Sequence, residues 1–124
     1  MRLRFPIVLA TLLLFPGFAT PSVYCQESSL GYQALQKVYQ AYLLGDSEVG
    51  KGNYQAAINA LNKAAASDPT RYSGSIHCRL AECYRQLKDN GRAAAEARKA
   101  LSLDPGYDEA YYELGLIAWQ AKHY

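Results

Sequence analysis

Apolar and small residues recur at intervals of three and four along most of this chain. They fall at Ala41, Leu44 and Gly45, then at Ala57, Ile58, Leu61, Ala64 and Ala65. The spacing returns at Ile76, Leu80, Ala81 and Tyr84, and again at Ala93, Ala94, Ala97, Ala100 and Leu101. Residues three and four apart share one face of an α-helix, so each run reads as a helix with a buried stripe. Gly52-Asn53 and Asp89-Asn90-Gly91 supply tight turns between runs. Asp68-Pro69 and Asp104-Pro105 stop a helix, because proline cannot continue one and biases the residue before it away from helical geometry. The pattern predicts helices over 30–50, 54–67, 74–87, 91–103 and 108–122 and an all-α fold.

The runs repeat. NYQAAINALNKAAASDP, residues 53 to 69, matches NGRAAAEARKALSLDP, residues 90 to 105, at Ala57/Ala93, Ala64/Ala100 and Asp68-Pro69/Asp104-Pro105, each pair 36 apart. Upstream, Leu44-Gly45, Leu80-Ala81 and Leu114-Gly115 correspond, at offsets of 36 and 34. A period in the mid-thirties marks stacked helical hairpins. Small residues sit where paired helices would meet: Gly45, Ala81 and Gly115 on the first helix of each pair, Ala57, Ala64, Ala93 and Ala100 on the second. Larger side chains there would overpack the contact, at roughly 1–3 kcal/mol each.

These residues make the chain resemble the tetratricopeptide repeat (TPR) family. Leu44-Gly45, Gly52-Asn53-Tyr54, Ala57, Ala64 and Asp68-Pro69 carry the resemblance in one unit. Leu80-Ala81, Tyr84, Ala93, Ala100 and Asp104-Pro105 carry it in the next, and Tyr111, Leu114-Gly115 and Tyr124 begin a third. It spans about residues 38 to 124 and implies a helical-hairpin repeat solenoid of about two and a half repeats. There are departures. Glu48 stands where the family has a large apolar residue, Ala41 and His77 where it favours a bulky one, and the Tyr72-Ser73 region adds two residues between units. Looser packing of the first unit is the expected consequence.

Solenoids bind along an extended concave surface, and in this family that groove commonly takes a peptide or protein segment. The first helix of each pair lines it. Residues at three-four-three spacing on the side away from the second helix give the candidates: Tyr39, Tyr42, Asp46 and Val49; Ser75, Cys78, Glu82 and Arg85; Glu109, Tyr112, Leu116 and Trp119. Tyrosine and tryptophan pack against a partner while keeping a polar handle. Chaperone-binding members clamp a C-terminal carboxylate with Lys, Asn and Arg. The corresponding places here hold Tyr42, Asp46, Arg79, Glu109 and Glu113, with one basic residue against three acids, which disfavours that sub-function.

One motif invites a different reading. GDSEVGKG, residues 45 to 52, matches the phosphate-loop pattern G-x-x-x-x-G-K-[ST] until Gly52 replaces the magnesium-binding hydroxyl. Such a loop needs a strand before it, and YQALQKVYQAYLL before this one is helical. Asp46 and Glu48 would also set negative charge against a phosphate. ATP binding is rejected on these grounds, and no cofactor is expected. Cys78 and Cys83 are five apart on one helix, so their Cα atoms lie roughly 8–9 Å apart, beyond the reach of a disulfide. With His77 they lack a fourth ligand and a recognised zinc spacing, so no metal is expected. No catalytic constellation appears, and the chain is read as non-enzymatic.

The first residues change the charge argument. Arg2 and Arg4 precede an apolar run from about Phe5 to Ala19, broken by Pro6, Pro16 and Gly17. The run is too short and too broken to span a bilayer and reads as a secretory signal peptide, assigned to residues 1–22. Cuts after Ala19, Ser22 or Cys25 fit it. Residues 23–37 then lead into a repeat domain over 38–124. The whole chain carries 13 basic and 11 acidic residues. Losing Arg2 and Arg4 leaves 11 of each, so there is no broad electrostatic attraction to nucleic acid or an anionic membrane. The expected location is exported, periplasmic or secreted. The alternative is a tether, through an uncleaved leader or a lipid on Cys25.

EAYYELGLIAWQAKHY reads as the first helix of a third pair, with no second helix after it. Leu114, Ile117 and Ala118 are then expected to be exposed. A longer parent protein, a homodimer through this helix, and an imperfect cap finishing in Lys122 and His123 are the three readings. The function read from the sequence is a non-catalytic module that binds a peptide or protein segment in its groove. The alternative is a structural subunit of a cell-envelope assembly that self-associates at the open end.

Overall fold

The computed structural model describes residues 21–67 and 72–123. Residues 1–20 of the segment expected to be a signal peptide, the Asp68-Pro69 pair expected to stop a helix, and Tyr124 lie outside the described residues. The chain divides into two units, Met1–Tyr32 and Gln33–Tyr124. The described part of the first, residues 21–32, is helical. The packing and the site belong to the second.

Among the described residues there are five α-helices and no strand: α1 Pro21–Gly50, α2 Tyr54–Ser67, α3 Ser73–Gln86, α4 Asn90–Leu103 and α5 Asp108–His123. The last four begin and end within a residue of the periodicity reading. Helix α1 starts at Pro21, ahead of the start near residue 30 expected from periodicity. Its first residue is Pro21, and proline is well tolerated there because the first N–H groups of a helix have no internal partner.

One core cluster joins the first three helices. Val38 of α1, Ile58 and Leu61 of α2, and Ile76 and Leu80 of α3 are buried together with Ala57, Ala64 and Cys83. Helix α3 is central, packing on α2, α4 and α5, while α5 also packs on α4. Alanine makes these contacts close: Ala57, Ala64, Ala81, Ala93, Ala97 and Ala100 have no exposed surface. Gly45 is closer still, since a Cβ built there would lie 2.6 Å from Leu61 Cγ.

Three expectations about burial need correction. Leu44 is 56% exposed, unlike its counterpart Leu80 in the core. Leu80 faces a preceding helix pair, whereas no described helix covers Leu44. Gly115 is not in a close helix contact among the described residues, since a Cβ there would meet nothing within 4 Å. Ile117, expected on the open side of α5, is 6% exposed. It shares the inward stripe Ala110, Glu113, Ile117 and Gln120, at spacings of three and four. Ala118 is exposed and Leu114 half-buried, and the outward aromatics of α5 are Tyr111, Tyr112 and Trp119.

The two hairpin turns superpose bond for bond at an offset of 36. Gly52 N–H donates to the Val49 carbonyl at 2.9 Å, and Lys88 N–H to the Arg85 carbonyl at 3.0 Å. Asn53 N–H donates to Glu48 and Asp89 N–H to Tyr84, both at 2.9 Å. This is the Schellman closure, in which a left-handed residue ends a helix and satisfies its last carbonyls. Gly52 and Lys88 hold that conformation, with φ of 78° and 65°. The second turn therefore sits at Leu87-Lys88-Asp89, and Asn90-Gly91 belong to α4. Asp89 decides this: its side chain accepts from Arg92 N–H at 3.1 Å and caps the helix one residue before Asn90.

The segment resembling a phosphate loop is the first of these turns. Glu48 accepts from Lys51 Nζ at 2.7 Å and from Asn53 Nδ2 at 2.9 Å. These bonds hold the Glu48 carboxyl below its usual range. Gly45 answers to Leu61 and Gly52 to its positive φ, whereas a Cβ built on Gly50 would meet nothing within 4 Å.

Candidate binding groove

Helices α1, α3 and α5 are the first helices of successive pairs, and they share one cavity of about 400 Å3. Tyr42 enters it from α1. Ser75, Cys78, Arg79 and Glu82 enter from α3, and Glu109, Tyr112 and Glu113 from α5. Tyr107, just ahead of α5, completes the lining. No residue of α2 or α4 reaches it. The 36-residue repeat produces this arrangement, because each unit presents the same face of its first helix to the same side.

Of the twelve residues selected from spacing, the cavity gathers six: Tyr42, Ser75, Cys78, Glu82, Glu109 and Tyr112. The other six stand outside it. Tyr39 is exposed and its ring lies 5.9 Å from Tyr72, which also stacks on Tyr42 at 6.4 Å. Val49 packs against the core cluster. Leu116 is half-buried, and Trp119 is exposed with its ring stacked on His123 at 4.6 Å. Asp46 and Arg85 act through neighbours that do line the cavity.

Those neighbours form two separate sets of ion pairs, one joining α1 to α3 and the other α3 to α5. Arg79 Nε donates to Asp46 Oδ1 on α1 at 2.9 Å, and Arg79 Nη1 to Glu82 Oε2 at 2.9 Å. Partial burial works against the Arg79 charge, but hydrogen bonds to Glu82 and Tyr42 and the field of Asp46 outweigh it and hold the guanidinium firmly charged. Arg85 Nε donates to Glu113 Oε2 on α5 at 2.8 Å, and this pair is well shielded, with side chains 15% and 9% exposed. Tyr107 Oη meets Ser75 Oγ at 3.1 Å, tying the start of α5 to the start of α3. Sequence spacing missed Arg79, Tyr107 and Glu113 as lining residues. Arg79 and Glu113 each sit one residue beyond a selected position and reach the cavity because long side chains sweep beyond their own stripe. Tyr107 is on a connection, where helical spacing gives no signal.

Burial sets the protonation of the neutral groups here. It pushes the Cys78 thiol up to about 12, with further upward pressure from Glu113 and Glu109. Tyr107 also rises to about 12, through burial and a hydrogen bond with Glu109. Cys78 and Cys83 are free and buried. A buried, protonated thiol is a poor nucleophile and a poor metal ligand. His77, behind the cavity, is occupied otherwise: its Nδ1 lies 2.6 Å from Glu96 Oε2 and joins α3 to α4. The cavity can hold a side chain by shape, aromatic contact and charge, and it assembles no nucleophile with a base.

Similarity to known proteins agrees with this geometry. The first TPR of Spaghetti (RPAP3), solved bound to the HSP90 peptide SRMEEVD, is similar at 26% identity with a TM-score of 0.63. The match covers 68% of this chain and 65% of that one, so it spans a little under two thirds of the solved chain's length. The tetratricopeptide repeat family matches residues 42–108, more than half of the sequence. With two superposable hairpins, alanine-lined helix contacts and a cavity between first helices, the chain belongs to the tetratricopeptide repeat family.

Proposed function

We propose that this protein is a non-catalytic interaction module that holds a segment of another protein between α1, α3 and α5. The observation that carries the reading is the single cavity fed by all three first helices, with the tyrosines Tyr42, Tyr107 and Tyr112 on its walls. Tyr112 is 65% exposed and Trp119, about two turns along α5, is 57% exposed, so both present aromatic area to a partner. Aromatic side chains of this kind supply much of the energy at protein interfaces. A similar solved domain takes a peptide, which supports the same mode of use here.

The leader reading completes the proposal. Residues 1–22 act as a secretory signal, residues 38–124 form the binding domain, and the module works after export, in the periplasm or outside the cell. Arg2 and Arg4 followed by a short apolar run support this.

The test is partner affinity in variants that keep the fold. Tyr42→Ala, Tyr112→Ala and Trp119→Ala should each weaken capture of the native partner, by about tenfold at the strongest position. Circular dichroism should be unchanged for Tyr112→Ala and Trp119→Ala. Full affinity in all three variants would contradict the reading.

A further inference from the structure

We infer that the cavity between α1, α3 and α5 receives a cationic side chain, arginine or lysine, from an extended partner segment. The inference rests on the reading above that the groove holds a protein segment, and it names that segment's chemistry.

Charge complementarity fixes the occupant. Four carboxylates, those of Asp46, Glu82, Glu109 and Glu113, stand in or beside the cavity, against the two guanidiniums of Arg79 and Arg85. Both guanidiniums are already engaged. Arg79 spans Asp46 and Glu82, and Arg85 is held by Glu113. An incoming carboxylate would find no uncommitted cation and an excess of negative charge. An incoming ammonium or guanidinium would offset part of that excess. Cys78 reports the same sign of field from inside: beyond the effect of burial, Glu113, Glu109 and Glu82 all press its thiol towards the neutral form, and Arg79 alone opposes them. Glu82 and Glu113 are shielded, with side chains 23% and 9% exposed, so their attraction is weakened less by water and salt than that of open surface charges.

The walls suit a cation as well as the charges do. Tyr42, Tyr107 and Tyr112 line the same space, and a cation over a tyrosine ring gains energy from the ring's negative face. The chain makes such a contact elsewhere, where the Arg92 guanidinium carbon lies 4.8 Å from the centre of the Tyr84 ring. A cavity of about 400 Å3 is within the range of clefts that enclose a small ligand, which leaves room for a long side chain and its flanking backbone. Carboxylates with aromatic walls distinguish this cavity from a simple surface acidic patch.

The test is selection from a displayed library of random dodecapeptides, followed by titration of the enriched peptides against the full chain. The expected result is an enriched set sharing an arginine or lysine at one position. Replacing that residue by alanine should weaken binding by about tenfold, and so should Glu82→Gln with Glu109→Gln in the protein. Binding of the enriched peptides should also weaken as salt is raised. Tyr112→Ala serves as an independent variant that leaves every charge in place. It should weaken all enriched peptides, which confirms that they occupy the groove. Peptides that are lost on Tyr112→Ala but share no basic residue, or that depend on a C-terminal carboxylate, would overturn the inference and leave the groove reading standing. Absence of any enriched peptide sensitive to Tyr112→Ala would overturn both.

Discussion

Gly52 and Lys88 occupy the same left-handed backbone position, 36 residues apart, with φ of 78° and 65°. Glycine adopts this conformation freely, while for a residue with a Cβ it costs about 1–2 kcal/mol. The second turn therefore carries strain that the first does not. Lys88→Gly should raise stability by about 1 kcal/mol, read as a higher melting temperature by circular dichroism. The reciprocal Gly52→Lys should lower it by a similar amount. An unchanged or lower melting temperature for Lys88→Gly would show that the two turns are not equivalent.

Gly45 and Gly115 occupy corresponding places on α1 and α5, yet their surroundings differ. A Cβ on Gly45 would sit 2.6 Å from Leu61 Cγ, whereas on Gly115 it would touch nothing. Gly45→Ala should destabilise the fold by about 1–3 kcal/mol through overpacking. Gly115→Ala should stabilise it by up to about 1 kcal/mol, because alanine is the better helix former. Urea unfolding of the two variants tests this. Equal effects would mean that the close α1–α2 approach is absent in solution.

Arg85 and Glu113 form a shielded pair joining α3 to α5, 2.8 Å apart. Removing one partner strands the other, at a cost on the order of 3 kcal/mol. Arg85→Ala and Glu113→Ala should each destabilise the chain strongly, and the double variant should cost clearly less than their sum. Simple additivity in the double-mutant cycle would show that the pair contributes nothing as a pair.

Stability should fall in alkaline solution. Burial raises the Cys78 and Cys83 thiols from 9.0 to about 12, and the Tyr107 phenol from 10.0 to about 12. The folded chain therefore keeps these protons after the unfolded chain has released them. The stabilisation is fully present below about pH 9 and is lost as pH rises towards 12. Urea midpoints measured across that interval should decline, and Cys83→Ala should make the decline shallower. A flat profile would contradict the burial of these groups.

The hairpins were legible in the sequence because their signals are local. Residues spaced by three and four mark helical faces, Pro105 marks a stop, and a 36-residue offset places one unit on the next. The errors arose where a residue's fate depends on what lies across from it. Leu44 and Leu80 hold the same place in the repeat, but among the described residues only Leu80 has a helix pair to cover it. Asn90 reads as a turn until the Asp89 cap draws it into α4. Half of the twelve residues selected by spacing line the cavity, and spacing missed Tyr107, which reaches its place from a connection. The ion pairs Arg79–Asp46 and Arg85–Glu113 link residues 33 and 28 positions apart, and no local pattern announces them.

The central claim is that the face shared by α1, α3 and α5 holds the partner. The most direct measurement places a photo-crosslinking amino acid at Tyr112 in the groove and, separately, at Arg98 on the exposed surface of α4. Both proteins are then irradiated with the native partner present. The account predicts a covalent adduct with the partner from position 112 and none from position 98. Equal adducts, or an adduct from position 98 alone, would contradict it.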